Sequence, residues 1–335
     1  MRIRLVEPGR RHARLQAQVE EGVLQVLRSG RYIGGPVVQR AEAMLARRLG
    51  FEHGVGAGSG TAALVQMLRA AGVRGKVAIP ALSFFATAEA VVLAGCTPVV
   101  VDVLPDRPQM DPSALPDCDA VLTVHLFGAK APEVHHPRVF ADAAQCMGWG
   151  WGRPQGLAAA ISLYPTKTLG AAGDGGAVLT DDPELADRAR RFGYHAMIGP
   201  HAHEGWGMNS RLDAVQAAVV LAHEQDLDRR VDRRRGLADA VDALGMGLPR
   251  DPRDAVHQLI VLHPERDRLR AALDQAGIDS AVYYPMPLDA QAPLGGRSRC
   301  QNALRFCGRA LAVPCHAELG DDEVDRLLTA LEAWT

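Results

Sequence analysis

The sequence predicts an α/β fold: a mainly parallel central sheet with flanking helices, followed by a small α+β domain at the C-terminus. From Gly54 onward, short apolar runs alternate with helical runs, which is typical of a parallel sheet covered by helices. A long helical pattern then ends at a glycine- and proline-containing turn at 245–249. The 335 residues are 47% hydrophobic, which is enough for two domains and a sizeable core.

The spacing of apolar residues assigns the elements in chain order. Apolar residues recur at helical spacing in 15–27 and in 37–49, so two helices come first. Further helical patterns run over 183–192 and from 211 to about 244. The candidate strands of the sheet are 77–79, 99–101, 121–124, 139–141, 159–163 and 177–179.

The turn at 245–249 marks a boundary, and we expect two domains, 1–244 and 245–335. The first would hold the N-terminal helices and the large sheet. The elements expected in the second are a strand at 256–262, a helix at 265–276, a strand near 281–283 and two more helices.

Lys167 is the first candidate for chemistry, because it lies between an apolar strand-like run and a glycine-rich turn. Burial disfavours the charged form of an amine, so such a lysine loses its proton more readily. A neutral lysine is a nucleophile that forms a Schiff base with a carbonyl. Alone the signal is weak, since most lysines after a buried strand are solvated.

Two segments upstream strengthen it. The G-S-G-T turn at 58–61 opens a helical run and offers free N–H groups, a positive dipole end and hydroxyls, which suit a phosphate. Asp142 ends a short strand, at the edge where α/β sheets bind their ligands. A ligand with a phosphate, an aldehyde and a cationic ring nitrogen would use all three, and pyridoxal 5'-phosphate is such a ligand.

Further segments occur in a fixed order along nearly the whole chain. They are S-G-R-Y-I-G-G-P (29–36), G-S-G-T (58–61), P-A-L-S-F-F-A-T (80–87), V-H-L-F-G (124–128), D-A-A-Q (142–145), the lysine segment, M-N-S-R-L-D (208–213) and Y-P-M-P-L (284–288). In these segments the chain resembles the DegT/DnrJ/EryC1/StrS sugar aminotransferase family. The resemblance implies the fold of the fold type I pyridoxal-phosphate enzymes.

The resemblance also implies residue roles. Lys167 would carry the cofactor as an internal aldimine, and Asp142 would keep its pyridine nitrogen protonated. By the same resemblance, Gln145 would contact the ring hydroxyl of the cofactor and Phe84 would stack on its ring. Gly60, Thr61 and Ser162 would bind its phosphate. Asn209 resembles an asparagine that relatives send across a dimer interface to the partner's phosphate, which implies a homodimer with shared active sites. Weaker substrate-pocket candidates are Tyr32, His125, His195 and Tyr284.

The expected activity is transfer of an amino group from an amino-acid donor such as glutamate to a keto-sugar acceptor, nucleotide-linked. Relatives that act as dehydratases or deoxygenases replace the lysine, usually with histidine, so Lys167 argues against that class. Two alternatives stay open. One is amination of a cyclitol or another non-sugar ketone. The other is a regulatory protein that binds the cofactor without turnover.

Composition excludes several other classes. The net charge of −2 predicts no nucleic-acid partner and no attraction to an anionic membrane. The one dense basic run, 229–235, is interpreted as a solvated helix face. No signal peptide and no apolar run of membrane-spanning length occur, so we expect no membrane association and a cytoplasmic protein.

Cysteines and histidines predict no metal site. The six cysteines show no C-x-x-C spacing and are expected to be free, packing thiols. The histidines at 135–136 and at 195–203 have no acid or cysteine at ligand spacing. The segment around 129–138 is short, whereas relatives usually place a helix there. We therefore expect a thinner outer layer, with one face of the sheet open to a partner.

Overall fold

The computed structural model describes residues 2–335, and a seven-stranded sheet forms its centre. The strands in chain order are β1 (His53–Ala57), β2 (Lys76–Pro80), β3 (Thr97–Val101), β4 (Ala120–Val124), β5 (Val139–Asp142), β6 (Ala158–Ser162) and β7 (Gly176–Thr180). Their order across the sheet is β1-β7-β6-β5-β4-β2-β3. Strand β7 runs antiparallel to both neighbours, and all other pairs are parallel. The predicted α/β fold is confirmed.

Strand β1 is the one strand of this sheet that the apolar pattern did not predict. Its sequence, H-G-V-G-A, contains two glycines, which are depleted in strands. A Cβ on Gly54 would lie 2.3 Å from the carbonyl oxygen of Glu42, and one on Gly56 would lie 2.7 Å from Cβ of Leu212. Both glycines are needed because neighbouring segments pack directly on the backbone of β1.

Helices cover both faces of the sheet. The helices before the chain reaches residue 245 are α1 (Pro8–Ser29), α2 (Pro36–Arg48), α3 (Gly60–Ala70), α4 (Ala86–Leu93), α5 (Pro183–Gly193), α6 (Ala214–Glu224) and α7 (Leu227–Ala243). Residues of α2 and α6 share one core with one face of the sheet, and residues of α3, α4 and α5 share another with the opposite face. A two-stranded hairpin, β8 (Met197–Gly199) with β9 (Ala202–His203), extends from the end of α5.

The continuous helical pattern predicted from 211 to about 244 is wrong, because two helices occupy it. The carboxylate of Asp213 accepts a hydrogen bond from the Gln216 N–H at 2.8 Å and caps the start of α6. The chain then turns at Asp226, whose carboxylate pairs with Arg229 at 2.6 Å and Arg14 at 3.3 Å. Helix α7 begins after this turn and ends before Gly245.

The C-terminal part is a compact α+β unit. Its elements are β10 (Leu259–Leu262), α8 (Arg266–Gln275), α9 (Gln301–Arg309), β11 (Ala310–Val313) and α10 (Asp321–Glu332). The strand predicted near 281–283 is a single bridge from Ala281 to Ala312, and the partner of β10 is the unpredicted β11. Ile3 and Val241 of α7 share the core of this unit. The division at 244/245 therefore stays a prediction.

The segment 129–138 contains no helix, as expected, but the sheet face beside it is not exposed. Ala78 and Val121 of the sheet are fully buried. Met110 and Val134, both from connecting segments, pack over them. Segments without regular secondary structure therefore cover this face of the sheet in place of a helix. Within residues 2–335, none of the helices has the length and apolarity needed to cross a membrane.

Candidate active site

A cavity of about 590 Å³ opens at the carboxyl ends of β4, β5 and β6, beside the start of α3. Strand ends and helix starts meet at this edge because the strands are parallel. Nine of the twelve site residues predicted from the sequence line it. They are Gly60, Thr61, Phe84, His125, Asp142, Gln145, Ser162, Lys167 and Tyr284.

The start of α3 forms one end of the cavity. Ser59 caps the helix, since its hydroxyl accepts a hydrogen bond from the Ala62 N–H at 3.1 Å. A Cβ on Gly60 would lie only 2.7 Å from Cβ of Ser162, so glycine allows the helix to approach the end of β6. The N-terminal N–H groups of α3 and the hydroxyls of Thr61 and Ser162 therefore converge on one place. Such a set of donors fits a phosphate.

Asp142 lies at the end of β5 and is only 7% exposed. Its Oδ2 accepts a hydrogen bond from the Thr87 hydroxyl at 2.7 Å, and its Oδ1 accepts one from the Ala144 N–H at 3.2 Å. Burial raises the pKa of this carboxyl, while these two hydrogen bonds and the charge of Lys167 act in the opposite direction. A buried carboxylate held in this way fits a cationic ligand group.

Lys167 lies in the same cavity, in a turn where its N–H donates to the Tyr164 carbonyl at 2.8 Å. Burial lowers the pKa of its amine, and the charge of Asp142 opposes that shift. The amine is therefore more easily deprotonated than a solvated lysine, which is the property that a Schiff-base lysine needs.

Gln145 and Tyr284 contact each other at the opposite wall. The side-chain Oε1 of Gln145 accepts a hydrogen bond from the Phe127 N–H at 2.5 Å, which leaves its amide N–H groups as donors. The Tyr284 hydroxyl is hydrogen-bonded to Gln145, and burial raises the pKa of this phenol. The ring of Phe84 lies 6.4 Å from that of Tyr284 and is 60% exposed, at the mouth of the cavity.

His125 is buried and neutral. Its Nδ1 accepts a hydrogen bond from the Ala131 N–H at 3.0 Å, so the ring proton is on Nε2, which has no partner among residues 2–335. Burial lowers the pKa of this histidine to about 3. The rings of Trp149 and His125 pack nearly perpendicular to each other, with their centroids 4.6 Å apart, and this contact fixes the histidine. His125 is thus a fixed donor in the wall of the cavity.

Sequence reasoning missed two polar residues that belong to this site. Thr87 holds Asp142 and is itself bonded to the Ser83 hydroxyl at 2.6 Å. His257 lines the cavity, and burial together with the charges of Lys167 and Arg234 holds its pKa well below the usual value. The only sequence signal for His257 is a pair of polar residues, His257 and Gln258, before the apolar run of β10.

Three predicted residues lie outside the cavity. Tyr32 is half exposed, and His195 lines a separate surface depression beside Trp206. The side-chain oxygen of Asn209 accepts a hydrogen bond from Arg211 at 2.7 Å. Trp206 is 90% exposed and Ile198 of the hairpin is 57% exposed. Asn209, the residue assigned to a dimer contact, therefore lies in a part of the chain with exposed apolar side chains.

The profile of the DegT/DnrJ/EryC1/StrS aminotransferase family matches residues 14–332. The chain belongs to this family. It is therefore an aminotransferase, and the resemblance seen in its motifs is confirmed.

Curated relatives match this aminotransferase over nearly their full length. It is 35% identical to dTDP-3-amino-3,4,6-trideoxy-alpha-D-glucose transaminase of Streptomyces venezuelae, over 96% of this chain and 93% of that protein. It is 34% identical to UDP-N-acetyl-3-dehydro-alpha-D-glucosamine 3-aminotransferase of Acidithiobacillus ferrooxidans, over 95% and 94%. It is 33% identical to a pleiotropic regulatory protein of Geobacillus stearothermophilus, over 96% of both.

Solved structures agree with the fold. The S. venezuelae DesV structure in complex with a ketimine intermediate superposes with a TM-score of 0.93 at 33% identity, covering 99% of this chain and 98% of that one. A DegT/DnrJ/EryC1/StrS aminotransferase from Brucella abortus gives a TM-score of 0.91 at 30% identity, covering 99% of both chains. This aminotransferase thus has the complete fold of its relatives.

Proposed function

We propose that this aminotransferase uses pyridoxal phosphate to move an amino group from an amino acid, such as glutamate, to a nucleotide-linked keto sugar. The observation that carries the proposal is that Lys167 and Asp142 share one buried cavity whose end is the start of α3. The names of two relatives, which act on dTDP- and UDP-linked sugars, support the acceptor class.

The residues of the cavity fit this cofactor. Its phosphate would be held by the N–H groups of Gly60 and Thr61 and by the hydroxyls of Thr61 and Ser162. Asp142 would pair with the ring nitrogen, and Lys167 would hold the aldehyde carbon. When bound, the cofactor supplies an electron sink for the electron pair released when a C–H bond of the substrate breaks. Phe84 and Gln145 would contact the ring and its hydroxyl.

Asp142 is oriented by the protein before any ligand binds. The Thr87 hydroxyl and the Ala144 N–H fix the plane of its carboxylate. A cationic partner would lower the pKa of Asp142 and keep it ionised, although burial acts in the opposite direction. The nearby histidine His125 is neutral, so it does not compete with that cationic partner for the carboxylate of Asp142.

Lys167 moves the proton. Because burial lowers its pKa, a fraction of its amine is neutral at a lower pH than for a solvated lysine. The Nζ atom would accept a proton from the substrate carbon that carries the amine and would donate it to the carbon that was the aldehyde carbon of the cofactor. The neutral ring of His257 lines the same space and adds no competing acid.

We further propose a homodimer with shared sites that works in the cytoplasm. Asn209, Tyr32 and His195 lie outside the cavity of their own chain, and Trp206, which lies beside His195, is almost fully exposed. A second copy would bury such apolar side chains and bring Asn209 to the phosphate. The six free cysteines support a reducing compartment.

The test is a half-reaction without acceptor. The holoenzyme is mixed with glutamate, and 2-oxoglutarate is measured by mass spectrometry. We expect about one 2-oxoglutarate per chain, and renewed production when dTDP- or UDP-linked keto sugars are added. A cofactor-loaded protein that releases no oxo acid from any amino acid would instead support the regulatory alternative. Turnover with cyclitol ketones but not with nucleotide-linked sugars would overturn the acceptor class alone.

A further inference from the structure

The basic run 229–235 is not the solvated face that its composition suggested. Arg230 and Arg234 are only 3% and 4% exposed. A spacing of four residues places both on the same face of α7, and that face points into the protein. The neighbours Arg229 and Arg233 lie outside and pair with Asp226 and Asp321.

A third guanidinium joins them from α1. Arg11 is 3% exposed, and its Nη2 and Nη1 donate to the carbonyls of Pro165 at 2.6 Å and Lys167 at 3.3 Å. Arg230 donates to the carbonyl of Thr168 at 2.6 Å. These two arginines therefore hold the backbone of the lysine segment from the side away from the cofactor cavity.

The third, Arg234, is also bonded to backbone carbonyls. Its Nη1 donates to Val256 at 3.2 Å and to His257 at 3.0 Å. Carbonyls are neutral acceptors, so they satisfy hydrogen bonds without balancing charge. The Nε atoms of Arg11 and Arg234 have no hydrogen-bond partner among residues 2–335.

Within residues 2–335, Glu318 is the one carboxylate that forms an ion pair with any of the three cations. Glu318 lies 3.1 Å from Nε of Arg230, and His316 approaches its other oxygen at 3.6 Å. Two further acids lie nearby and are paired with other arginines. Glu7 at the rim pairs with Arg10 at 3.1 Å, and Asp226, whose charge also acts on Arg230, pairs with Arg229 at 2.6 Å. The pKa of Glu318 is lowered to about 2, so this carboxylate is ionised and the buried cluster keeps an excess of positive charge. Buried charges are normally paired, because an uncompensated one is unfavourable.

A second cavity lies inside this cluster. Its volume is about 20 Å³, and it is bounded by Arg11, Arg230, Arg234, His316, Glu318 and the segment 165–167, with the segment 6–8 on the side toward the surface. A volume of roughly 10–15 Å³ is enough for one water-sized sphere. The space therefore suits a single small ion or one water.

We propose that this cavity binds one monoatomic anion, chloride in the cell, which balances the buried arginines behind the lysine segment. One bound anion would offset the charge excess and accept N–H groups that carbonyls leave unused. Burial and the nearby charge of Arg230 lower the pKa of Arg11 to about 9, as expected for a cation with too little negative charge around it. The site is separate from the cofactor cavity and is independent of the proposed substrate.

The anion would join parts of the chain that are distant in sequence. Arg11 comes from α1, Arg230 and Arg234 come from α7, and Glu318 precedes α10. Because an ion that binds only the folded protein stabilises it by mass action, the holoenzyme should be more stable in chloride than in an equal concentration of a bulky anion. Ionic strength alone would not distinguish the two salts.

The test measures thermal unfolding of the holoenzyme in sodium chloride, sodium bromide and sodium gluconate at equal ionic strength. We expect Tm to rise with chloride or bromide and then saturate as the site fills, with a smaller rise in gluconate. Arg234→Gln should lose this halide effect, whereas Arg233→Gln, on the exposed face of the same helix, should keep it. Equal Tm values in chloride and gluconate, or an unchanged halide effect in Arg234→Gln, would overturn the proposal.

A direct measurement remains decisive if Arg234→Gln does not fold. Crystals of the unmodified holoenzyme are soaked in sodium bromide, and anomalous scattering is recorded at the bromine edge. An anomalous peak between Arg11, Arg230 and Arg234 is the expected result. Density for a water without an anomalous signal would show that the cavity is only hydrated.

Discussion

The two sides of the lysine segment 164–170 differ sharply in charge. On the cofactor side, one amine faces one buried carboxylate, and the histidines are neutral. On the other side, three guanidiniums surround a single carboxylate. The difference shows how the segment works: cationic donors hold its backbone carbonyls from behind. The side chain of Lys167 in front is therefore free to lose and regain a proton without losing its position.

The largest effect should come from removing the amine on the cofactor side. Lys167→Ala loses the group that transfers the proton, and positioned acid–base groups contribute roughly 10²–10⁴-fold to a rate. We expect transaminase turnover to fall by at least that factor while the cofactor still binds. The matched control is Lys130→Ala, because Lys130 packs on Trp151 and does not line the cavity, so turnover should stay unchanged. Full activity of Lys167→Ala would remove Lys167 from the mechanism.

Asp142→Asn tests the carboxylate on the same side. The substitution is nearly isosteric and keeps an oxygen for the Thr87 hydroxyl, so the protein should fold with little change in Tm. It removes the charge that would keep the ring nitrogen of the cofactor protonated, and turnover should fall by orders of magnitude. Steady-state kinetics and thermal unfolding are measured together. A large loss of stability with near-normal turnover would make Asp142 a structural residue.

Asn209 tests whether a second copy completes the cofactor side. Asn209→Ala should lower turnover about 10- to 150-fold, since a hydrogen bond to a charged group contributes about 1.5–3 kcal/mol. When Lys167→Ala and Asn209→Ala chains are refolded together, one site of each heterodimer should be intact. Activity should then recover to as much as about half of the unmodified value per heterodimer.

The control for that mixture is a heterodimer of Lys167→Ala with Asp142→Asn. Both of these residues line the cavity of their own chain, so each of its sites keeps one lesion and no activity should return. If verified heterodimers of Lys167→Ala with Asn209→Ala are equally inactive, Asn209 does not act across an interface.

The smallest effect is expected behind the segment, at His223. Its Nδ1 donates to the Gly170 carbonyl at 2.6 Å, and burial together with Arg11 lowers its pKa to about 4. The unfolded chain, with the ordinary value near 6.5, binds this proton more readily, so stability should fall as pH drops from 6.5 toward 4. His223→Asn keeps a donor for Gly170 and should reduce that slope by up to about 1.4 kcal/mol per pH unit. Identical pH dependence of the unfolding free energy in both proteins would contradict this shift.

The two sides also differ in how well sequence predicts them. Lys167, Asp142 and Gly60 are marked by strand ends and glycine turns, so local pattern was enough to bring them together. Thr87 is 55 residues from the carboxylate it holds, and no local pattern marks that contact. The basic run 229–235 was interpreted as a solvated helix face from its composition alone. Arg230 and Arg234 are four residues apart, so they share one face of α7, and that face is buried.

Tyr32, His195 and Asn209 show the limit of a single chain. None of the three lines the cavity of its own chain, and the role proposed for Asn209 needs a second copy. No pattern in one sequence fixes the geometry between two chains. The fold was easier to predict because six of the seven strands of the central sheet, β2 to β7, are short apolar runs. Strand β1 was missed because the segments that pack on Gly54 and Gly56 come from elsewhere in the chain, at Glu42 and Leu212. The break at Asp226 was missed because Asp226 pairs with Arg14 of the distant helix α1.

The central claim is that Lys167, and no other lysine, carries the cofactor. The chain has only three lysines, Lys76, Lys130 and Lys167, which makes the measurement direct. The holoenzyme is reduced with borohydride and digested, and the peptides are mapped by mass spectrometry. We predict that the added mass of the reduced cofactor lies on the peptide containing Lys167, at close to one per chain. Label on the peptide of Lys76 or Lys130, or no fixed label in a protein that binds the cofactor, would contradict the account.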